Sequence, residues 1–531
     1  MTQRYQCDVA IVGGGIAGVT AALELIAAGK SVAIFESEGP NRFGGSALES
    51  FGGLFFVDSP EQRRARIADT PERALKDWES FAQFGADEVW PRRWAAHLVE
   101  RATPDGRDYL RAKGLSWLPV VLWVERGLEV AGNSVPRFHL SWGTGRRVVT
   151  QIIDALRAHP NAQRLATHFH HRVERIETNG GRIAGCSGRN PATDFTVDAG
   201  VEIVAAGGIG GNLAQVRKYW DPGGGAQQPE TILLGTHPSA DGRVLEAAQA
   251  AGAQLTHVGR MWNYAGGVRH PRPDWPDHGV SLVPPKSALW TDATGKRLVP
   301  PIVSGFDTHE MVRRVALSPH GYTWQIMNRR IALKELAASG AVWNPAVRER
   351  RLLRFVLDTL GGNKWLYDEL TMKSPDFVMA PNVAALAEKM NAMNNPVRVD
   401  AHALEDEITR FDATLGDASS ADPQRRQIET LRGYRGDRMR LAKNVKILDA
   451  KAGPLLAIRE HVVTRKSLGG IVTDLQSRAL GANDEPIAGL YAVGESAGFG
   501  GGGSHGWRGL EGTFLLSSII TARRAAESIA F

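Results

Sequence analysis

Three observations predict an α/β fold built on a Rossmann-like dinucleotide-binding domain. An apolar strand, a glycine turn, a helix and a second strand follow one another from Asp8 to Glu36. Strand patterns joined by Asn179-Gly180-Gly181 suit a β-meander. Buried-strand patterns return near the C-terminus, so one domain draws on both ends of the chain.

Val9, Ala10, Ile11 and Val12 form an uncharged apolar run, the pattern of a parallel strand covered on both faces. Gly13-x-Gly15-x-x-Gly18 follows. In this motif the first glycine permits a tight turn, and the second lets the backbone approach a pyrophosphate. The third lets helix and strand pack closely. The helix behind it aims its free N–H groups and positive dipole end at the phosphates. Val19, Leu23 and Ile26 recur at helical spacing, and Gly29 ends the helix. Ser31 to Phe35 reads as a second buried strand, closed by Glu36. An acid at that distance from the glycines accepts hydrogen bonds from a ribose 2′-hydroxyl. The stretch by itself leaves NAD(P) and FAD both open.

A loop with paired glycines comes next, Gly44-Gly45-Ser46 through Gly52-Gly53, and implies close backbone approach to a ligand. From Ser59 to about Leu118 the pattern is helical. Ser59-Pro60-Glu61 and Thr70-Pro71-Glu72 each offer an N-cap and a first-turn proline. Trp78, Phe81, Phe84, Trp90, Trp94 and Tyr109 read as packing between these helices. Residues 119–150 are irregular, and a helix follows from about Arg147 to Ala158. After the meander, Val201 to Ala205 is a buried strand leading to Ala206-Gly207-Gly208. These glycines do not repeat GxGxxG, since the third position falls on Leu213, so no separate NAD(P) unit is predicted.

His237 to Gly242 leads into a helix from about Arg243 to Ala251. From about residue 256 the composition shifts, with Trp262, Tyr264, Trp275 and Trp290 among many prolines. Helical patterns lie near 310–360 and 399–413, with a polar stretch around 416–430. Ser467 to Asp474 and Pro486 to Glu495 return to strands, and a last helix starts near Gly512. The expected division is residues 1–255 and 464–531 as one discontinuous domain, with 256–463 inserted.

The 531-residue length exceeds what one small core supports. Hydrophobic content of 43% and charged content of 23% are those of a globular protein. A net charge of +6 is mild at this length, and no basic run alternates with aromatics, which excludes a nucleic-acid-binding reading. Two cysteines, Cys7 and Cys186, cannot supply an iron–sulfur cluster or a disulfide framework. A cytoplasmic setting is the simplest expectation. The first strand is expected about seven residues in, leaving no room for a signal peptide. No run approaches the roughly 18–20 apolar residues of a transmembrane helix. His97, His139 and the His168, His170, His171 group lack metal-ligand spacing and read as surface or turn residues, so no metal is expected.

Together these segments resemble the FAD-dependent flavoprotein superfamily of fumarate reductase, succinate dehydrogenase and the 3-ketosteroid dehydrogenases. The Gly44–Gly53 loop resembles that superfamily's GGNxxxxxGG, with Ser46 in the asparagine position. Ala206-Gly207-Gly208 resembles its TGG, Ser239-Ala240-Asp241-Gly242 its TGDG, and Gly489 to Glu495 its GLYAxGE. DSPEQRR, WGTG, MWNY and GFGGGGSHGWRGLEGTF are similar to bacterial FAD-binding dehydrogenases within it. The resemblance implies a Rossmann-like FAD-binding domain, a central parallel sheet plus β-meander, with an inserted α+β capping or substrate domain. It implies non-covalent FAD held by Gly13, Gly15, Ile16, Ala17, Gly18, Glu36, Ser37, Gly44, Gly45, Ser46, Gly52, Gly53 and Val173. Ala206, Gly207, Gly208, Asp241, Gly494, Glu495, Gly512, Thr513 and Phe514 complete that set.

The departures bear on substrate. The HTMGG of fumarate reductases is RKSLGG here, and the closing HGxNRLGG becomes His505-Gly506-Trp507-Arg508-Gly509-Leu510-Glu511-Gly512. These losses argue against fumarate or succinate. The expected chemistry is hydride transfer between a substrate carbon and flavin, with a side chain moving the proton on the neighbouring carbon. The aromatic segment after residue 256 suggests a lid for an apolar, polycyclic substrate, and the resemblance to the 3-ketosteroid dehydrogenases implies a ketone- or steroid-like compound. His505 and Arg508 offer a titratable group and a fixed cation. Arg465 stands beside the Gly469-Gly470 loop, and Tyr264 and Tyr322 are candidate acids or bases. The expected partners are a small-molecule substrate and a separate electron acceptor or donor, with an oligomer left open. Two rivals remain: an electron-relay flavoprotein docking a partner, reduced by a protein or quinone, and an oxygen-using oxidase or monooxygenase, marked by rapid peroxide release.

Overall fold

The computed structural model describes residues 2–221, 227–415 and 421–530, so part of the polar stretch around 416–430 falls outside it. Val9–Val12 and Val32–Glu36 are buried throughout and lie side by side in parallel, Val9 against Val32 and Val12 against Phe35. Val201–Val204 flanks them in parallel, followed by Pro486–Ala492 from the far end of the chain, and Leu165–Phe169 closes the other side. The apolar runs Val9–Val12 and 32–35 are covered on both faces, one by the helix Ile16–Ala27 and the other by the meander residues Val173, Cys186, Phe195 and Val197. The helix Ile16–Ala27 packs against the C-terminal helix Thr513–Ala530. Gly29 follows the first of these at φ +81°, as a helix stop requires.

The meander is present. Arg172–Asn179, Arg182–Arg189 and Asp194–Asp198 pair antiparallel in sequence order. A polar strand, Gln3–Gln6, precedes the expected first strand and pairs in parallel with Asp194–Asp198. Its position at the sheet edge explains its lack of an apolar signature.

Ser59 forms a full capping box. Its hydroxyl accepts from the Gln62 N–H at 3.0 Å while the Gln62 side chain accepts from the Ser59 N–H at 2.9 Å. Thr70 caps the helix Pro71–Ala82. That helix buries Trp78, whose indole N–H donates to the Ser504 carbonyl at 2.8 Å. The helical segment is thereby fixed to the C-terminal glycine run. His139 is neither on the surface nor in a turn. It lies on the short strand Phe138–Leu140, fully buried, with Nε2 2.8 Å from Ser59 Oγ and Nδ1 2.7 Å from the Arg137 carbonyl oxygen.

A second sheet is organised on one long strand, Leu455–Ser467. Tyr322–Asn328 and Phe377–Ala380 pair antiparallel with its first half, and Met261–Arg269 with its second. Ile232–Leu234 joins it in parallel. Tyr322–Asn328 corrects the helical expectation over 310–360. All seven residues are buried, so the strand shows no alternation by which to be recognised. No helix of the described residues is long and apolar enough to cross a membrane.

Candidate active site

A cleft of about 440 Å³ opens at the C-terminal edge of the parallel strands. Its floor is the glycine turn. Gly13 sits at φ +105°, and a Cβ there would lie 2.4 Å from the Ala205 carbonyl oxygen. At Gly18 a Cβ would lie 2.0 Å from the Gly13 oxygen, so glycine lets the helix close on the strand. Gly15 differs. It lines the cleft at an ordinary φ of −72°, and a Cβ would meet no protein atom within 4 Å. The space it leaves is space for a ligand. Ile16 and Ala17 line the cleft beside it.

Glu36 and Ser37 form an adjacent wall. The Glu36 carboxylate accepts from the Gly14 N–H at 2.7 Å and the Glu38 N–H at 2.9 Å, which fixes its orientation. Burial nonetheless holds this carboxyl above its ordinary value. Gly44 pairs with Gly15, and a Cβ on Gly45 would lie 2.9 Å from the Gly15 Cα, so the second loop crosses directly over the first. Gly45 and Ser46 reach the cleft. Gly52 and Gly53 anchor the loop's far end: Cβ atoms there would lie 2.4 Å from the Gly145 nitrogen and 1.9 Å from the Phe138 ring.

Val173, Ala206, Gly207, Gly208 and Asp241 line the opposite side. Asp241 takes Arg172 at 2.6 Å and Arg243 at 3.1 Å. The Gly494 N–H donates to Thr521 Oγ1 at 2.9 Å, tying this turn to the last helix. Glu495 lines the cleft and accepts from the Ser467 N–H at 2.8 Å, while burial raises its pKa to about 7. Gly512, at φ +95°, turns the chain into Thr513, where the last helix begins, and Phe514 projects to the cleft.

Around Phe514 a group of polar side chains converges. The Lys466 ammonium lies 4.1 Å from the Phe514 ring centroid and 5.5 Å from that of Tyr264. It lines the cleft and makes no ion pair or hydrogen bond with a described residue. Burial lowers its pKa to about 8, opposed by the Glu511 carboxylate. Glu511 accepts from the Trp262 indole at 2.8 Å and from the Tyr264 hydroxyl. Burial, then the Glu511 charge, holds the Tyr264 phenol well above its ordinary value. Glu125 is buried close by and accepts from the Thr308 N–H at 3.0 Å and hydroxyl at 2.6 Å. Burial and then Glu511 hold its carboxyl well above normal, with Asp307 adding to the effect.

The other sequence candidates take different places. His505 is fully buried behind the cleft wall, stacked on Trp78 and Phe514 at centroid distances of 5.3 and 4.8 Å. Its Nε2 lies 2.7 Å from Thr513 Oγ1, and burial followed by Lys466 lowers its pKa to about 3. Arg508 donates to Asp307 at 3.1 Å and to Gln83 at 3.0 Å. Arg465 lines the cleft, with Nη1 on the Gly235 carbonyl at 2.5 Å. Tyr322 stands apart on its strand opposite His461, with no partner for its buried hydroxyl. Lys466 and Glu511 lie within RKSLGG and the closing glycine-rich segment, where no spacing singles them out. Glu125, in an irregular stretch, carried no local signal.

A family model described as an FAD binding domain matches residues 8–515. The chain belongs to this FAD-binding family. The cradle fits FAD, with open space over Gly15 and the oriented acid at Glu36, and the flavoprotein is an FAD-dependent oxidoreductase. It is 41% identical over 528 residues to a KsdD-like steroid dehydrogenase of Mycolicibacterium smegmatis, covering 96% of each chain. It is also 41% identical over 544 residues to a KsdD-like steroid dehydrogenase of Mycobacterium tuberculosis, covering 98% of this chain and 95% of the relative. The flavoprotein shares its fold with 3-ketosteroid delta1-dehydrogenase from Sterolibacterium denitrificans, at a TM-score of 0.71 and 16% identity, with 99% of both chains covered.

Proposed function

We propose that this flavoprotein oxidises a carbon–carbon single bond beside a ketone in an apolar, steroid-like compound, or runs the reverse reduction. The observation that carries the reading is the 41% identity, over almost the whole chain, to KsdD-like steroid dehydrogenases. The glycine, Glu36, Asp241 and Glu495 positions hold FAD non-covalently in this reading, and residues 256–463 cap the reacting end. Bound FAD supplies the hydride acceptor or donor. The Lys466 ammonium stabilises negative charge developing on the substrate's ketone oxygen. Tyr264 takes the proton from the neighbouring carbon as its own proton passes to Glu511, and returns it in the reverse direction. His505 and Arg508 position the wall, since the first is stacked behind Phe514 and the second is held by Asp307. The electrons pass on to a separate acceptor. Two free cysteines suit a reducing cytoplasm.

The test is anaerobic mixing of the FAD-loaded protein with a 3-ketosteroid, a simple cyclic ketone and a dicarboxylate, following the flavin's visible absorbance. The ketosteroid is expected to bleach it. Bleaching by dithionite but by none of the three compounds sinks the reading. Tyr264→Phe should keep FAD and slow bleaching by about a hundredfold or more; an unchanged rate removes Tyr264 from the proton transfer.

A further inference from the structure

One helix carries its apolar face outward. Leu352–Gly361 buries none of its residues. Leu352, Leu353, Val356, Leu357 and Leu360 are 61, 82, 41, 66 and 63% exposed. Their spacing lays them along one continuous stripe of the helix. The other side is fixed to the fold. Phe355 is half-buried, edge-to-face with Trp142 at 5.9 Å. The Lys334 ammonium holds the C-terminal turn through the Thr359 and Leu360 carbonyls, at 2.9 and 3.1 Å. The stripe is therefore held facing solvent, where an ordinary surface helix would turn it to the core.

The rim is basic. Arg348, Arg350, Arg351 and Arg354 lie at or just before the start of this helix and outnumber its two acids, Arg348 and Arg351 sharing Glu349 and Arg354 pairing with Asp358. Arg350 is exposed and makes no ion pair with a described residue. Burial, and then the nearby Arg350 charge, lowers the pKa of Arg147 on the helix Thr144–Arg157.

We propose that this helix docks the protein on an anionic lipid surface, with its leucine stripe in the acyl boundary and its arginines at the headgroups. An amphipathic helix with basic residues beside its apolar face lies in the interface without crossing it. Each arginine near an anionic surface adds to the attraction. A two-fold contact with a second copy would bring the same arginine rim against itself, so charge complementarity selects lipid. The inference stands independently of the substrate.

The test sediments FAD-loaded protein with vesicles of phosphatidylcholine alone and of phosphatidylcholine with phosphatidylglycerol at about 7:3. The wild-type chain is expected to bind the anionic vesicles about tenfold more strongly than the neutral ones. Leu353→Glu/Leu357→Glu, at two exposed positions outside the cleft, should retain FAD and lose anionic-vesicle binding by about tenfold or more. Arg350→Gln/Arg351→Gln should abolish the preference for anionic lipid. Wild-type protein that stays in the supernatant with both vesicles overturns the proposal, and so does a leucine variant that binds like wild type. A dimer in sedimentation velocity that the leucine variant dissociates, without vesicle binding by the wild type, overturns it in favour of a second copy.

Discussion

A methyl group at Gly15 would touch no protein atom within 4 Å, whereas at Gly18 it would lie 2.0 Å from the Gly13 carbonyl oxygen. The two glycines thus answer to different demands, one from the ligand and one from the fold. Gly15→Ala should leave the thermal midpoint of the apoprotein unchanged and weaken FAD binding by about tenfold or more, the worth of about 1.4 kcal/mol. A fluorescence titration with FAD reads this directly, and undiminished affinity would show that the ligand does not use the space. Lys466 makes a second demand on the fold. Its pKa is about 8 in the folded chain against an ordinary 10.5. Between those values the unfolded chain holds a proton that the folded chain has released, so apoprotein stability rises with pH across the window. Below pH 8 the buried charge costs roughly 3 kcal/mol. Lys466→Met should therefore stabilise the apoprotein at neutral pH and remove this slope in urea unfolding. It should also slow turnover, because the proposed reaction uses the charged form. Wild-type activity should fall as pH rises through about 8, and the variant should lack that limb.

The elements of the cofactor cradle were legible because their constraints are local. The run Val9–Val12, the glycines behind it, the Ser59 capping box and the Asn179-Gly180-Gly181 turn each need only a few neighbouring residues to be recognised. Tyr322–Asn328 was not legible, since burial on both faces removes the alternation that marks a strand. Leu455–Ser467 was harder still, because it carries Arg459, Glu460, Arg465 and Lys466 through the middle of a sheet. Arg459 is tolerated there because Asp376, from before the strand Phe377–Ala380, meets it at 2.9 Å. No periodicity announces a partner so distant in sequence. The same holds for the reacting end. Lys466 is the last residue but one of this long strand, Tyr264 sits on Met261–Arg269, Glu511 precedes the last helix, and Glu125 lies in a loop. Four segments make one cluster, and pairing between strands, not spacing along the chain, brings Lys466 opposite Trp262.

At the scale of the whole molecule, charged pairs form a seam between residues 256–463 and the rest of the chain. One hydrophobic core surrounds the helix Ile16–Ala27 and the C-terminal helix, and another packs on Leu455, Leu456, Ala457 and Ile458 of the long strand. Arg508 bonds to Asp307, Arg126 to Asp437, and Arg260 to Glu88, which also meets His257 Nε2 at 2.6 Å. Asp307 has two tasks. One oxygen caps the helix Thr308–Leu317 through the Glu310 N–H at 2.9 Å, while the other takes Arg508. Burial raises the Asp307 carboxyl even with the arginine beside it, so this charge is tolerated only in company. Arg508→Met strands a buried carboxylate and should destabilise the protein by about 3–5 kcal/mol at neutral pH. Asp307→Asn keeps a competent cap, because an asparagine side chain accepts the same N–H. Combined with Arg508→Met it also removes the stranded charge, so the double variant should regain most of the loss. A double-mutant cycle by urea unfolding should then give a coupling above about 1 kcal/mol. Losses that simply add would mean that the seam is held by packing, and that Arg508 is free for a role at the substrate.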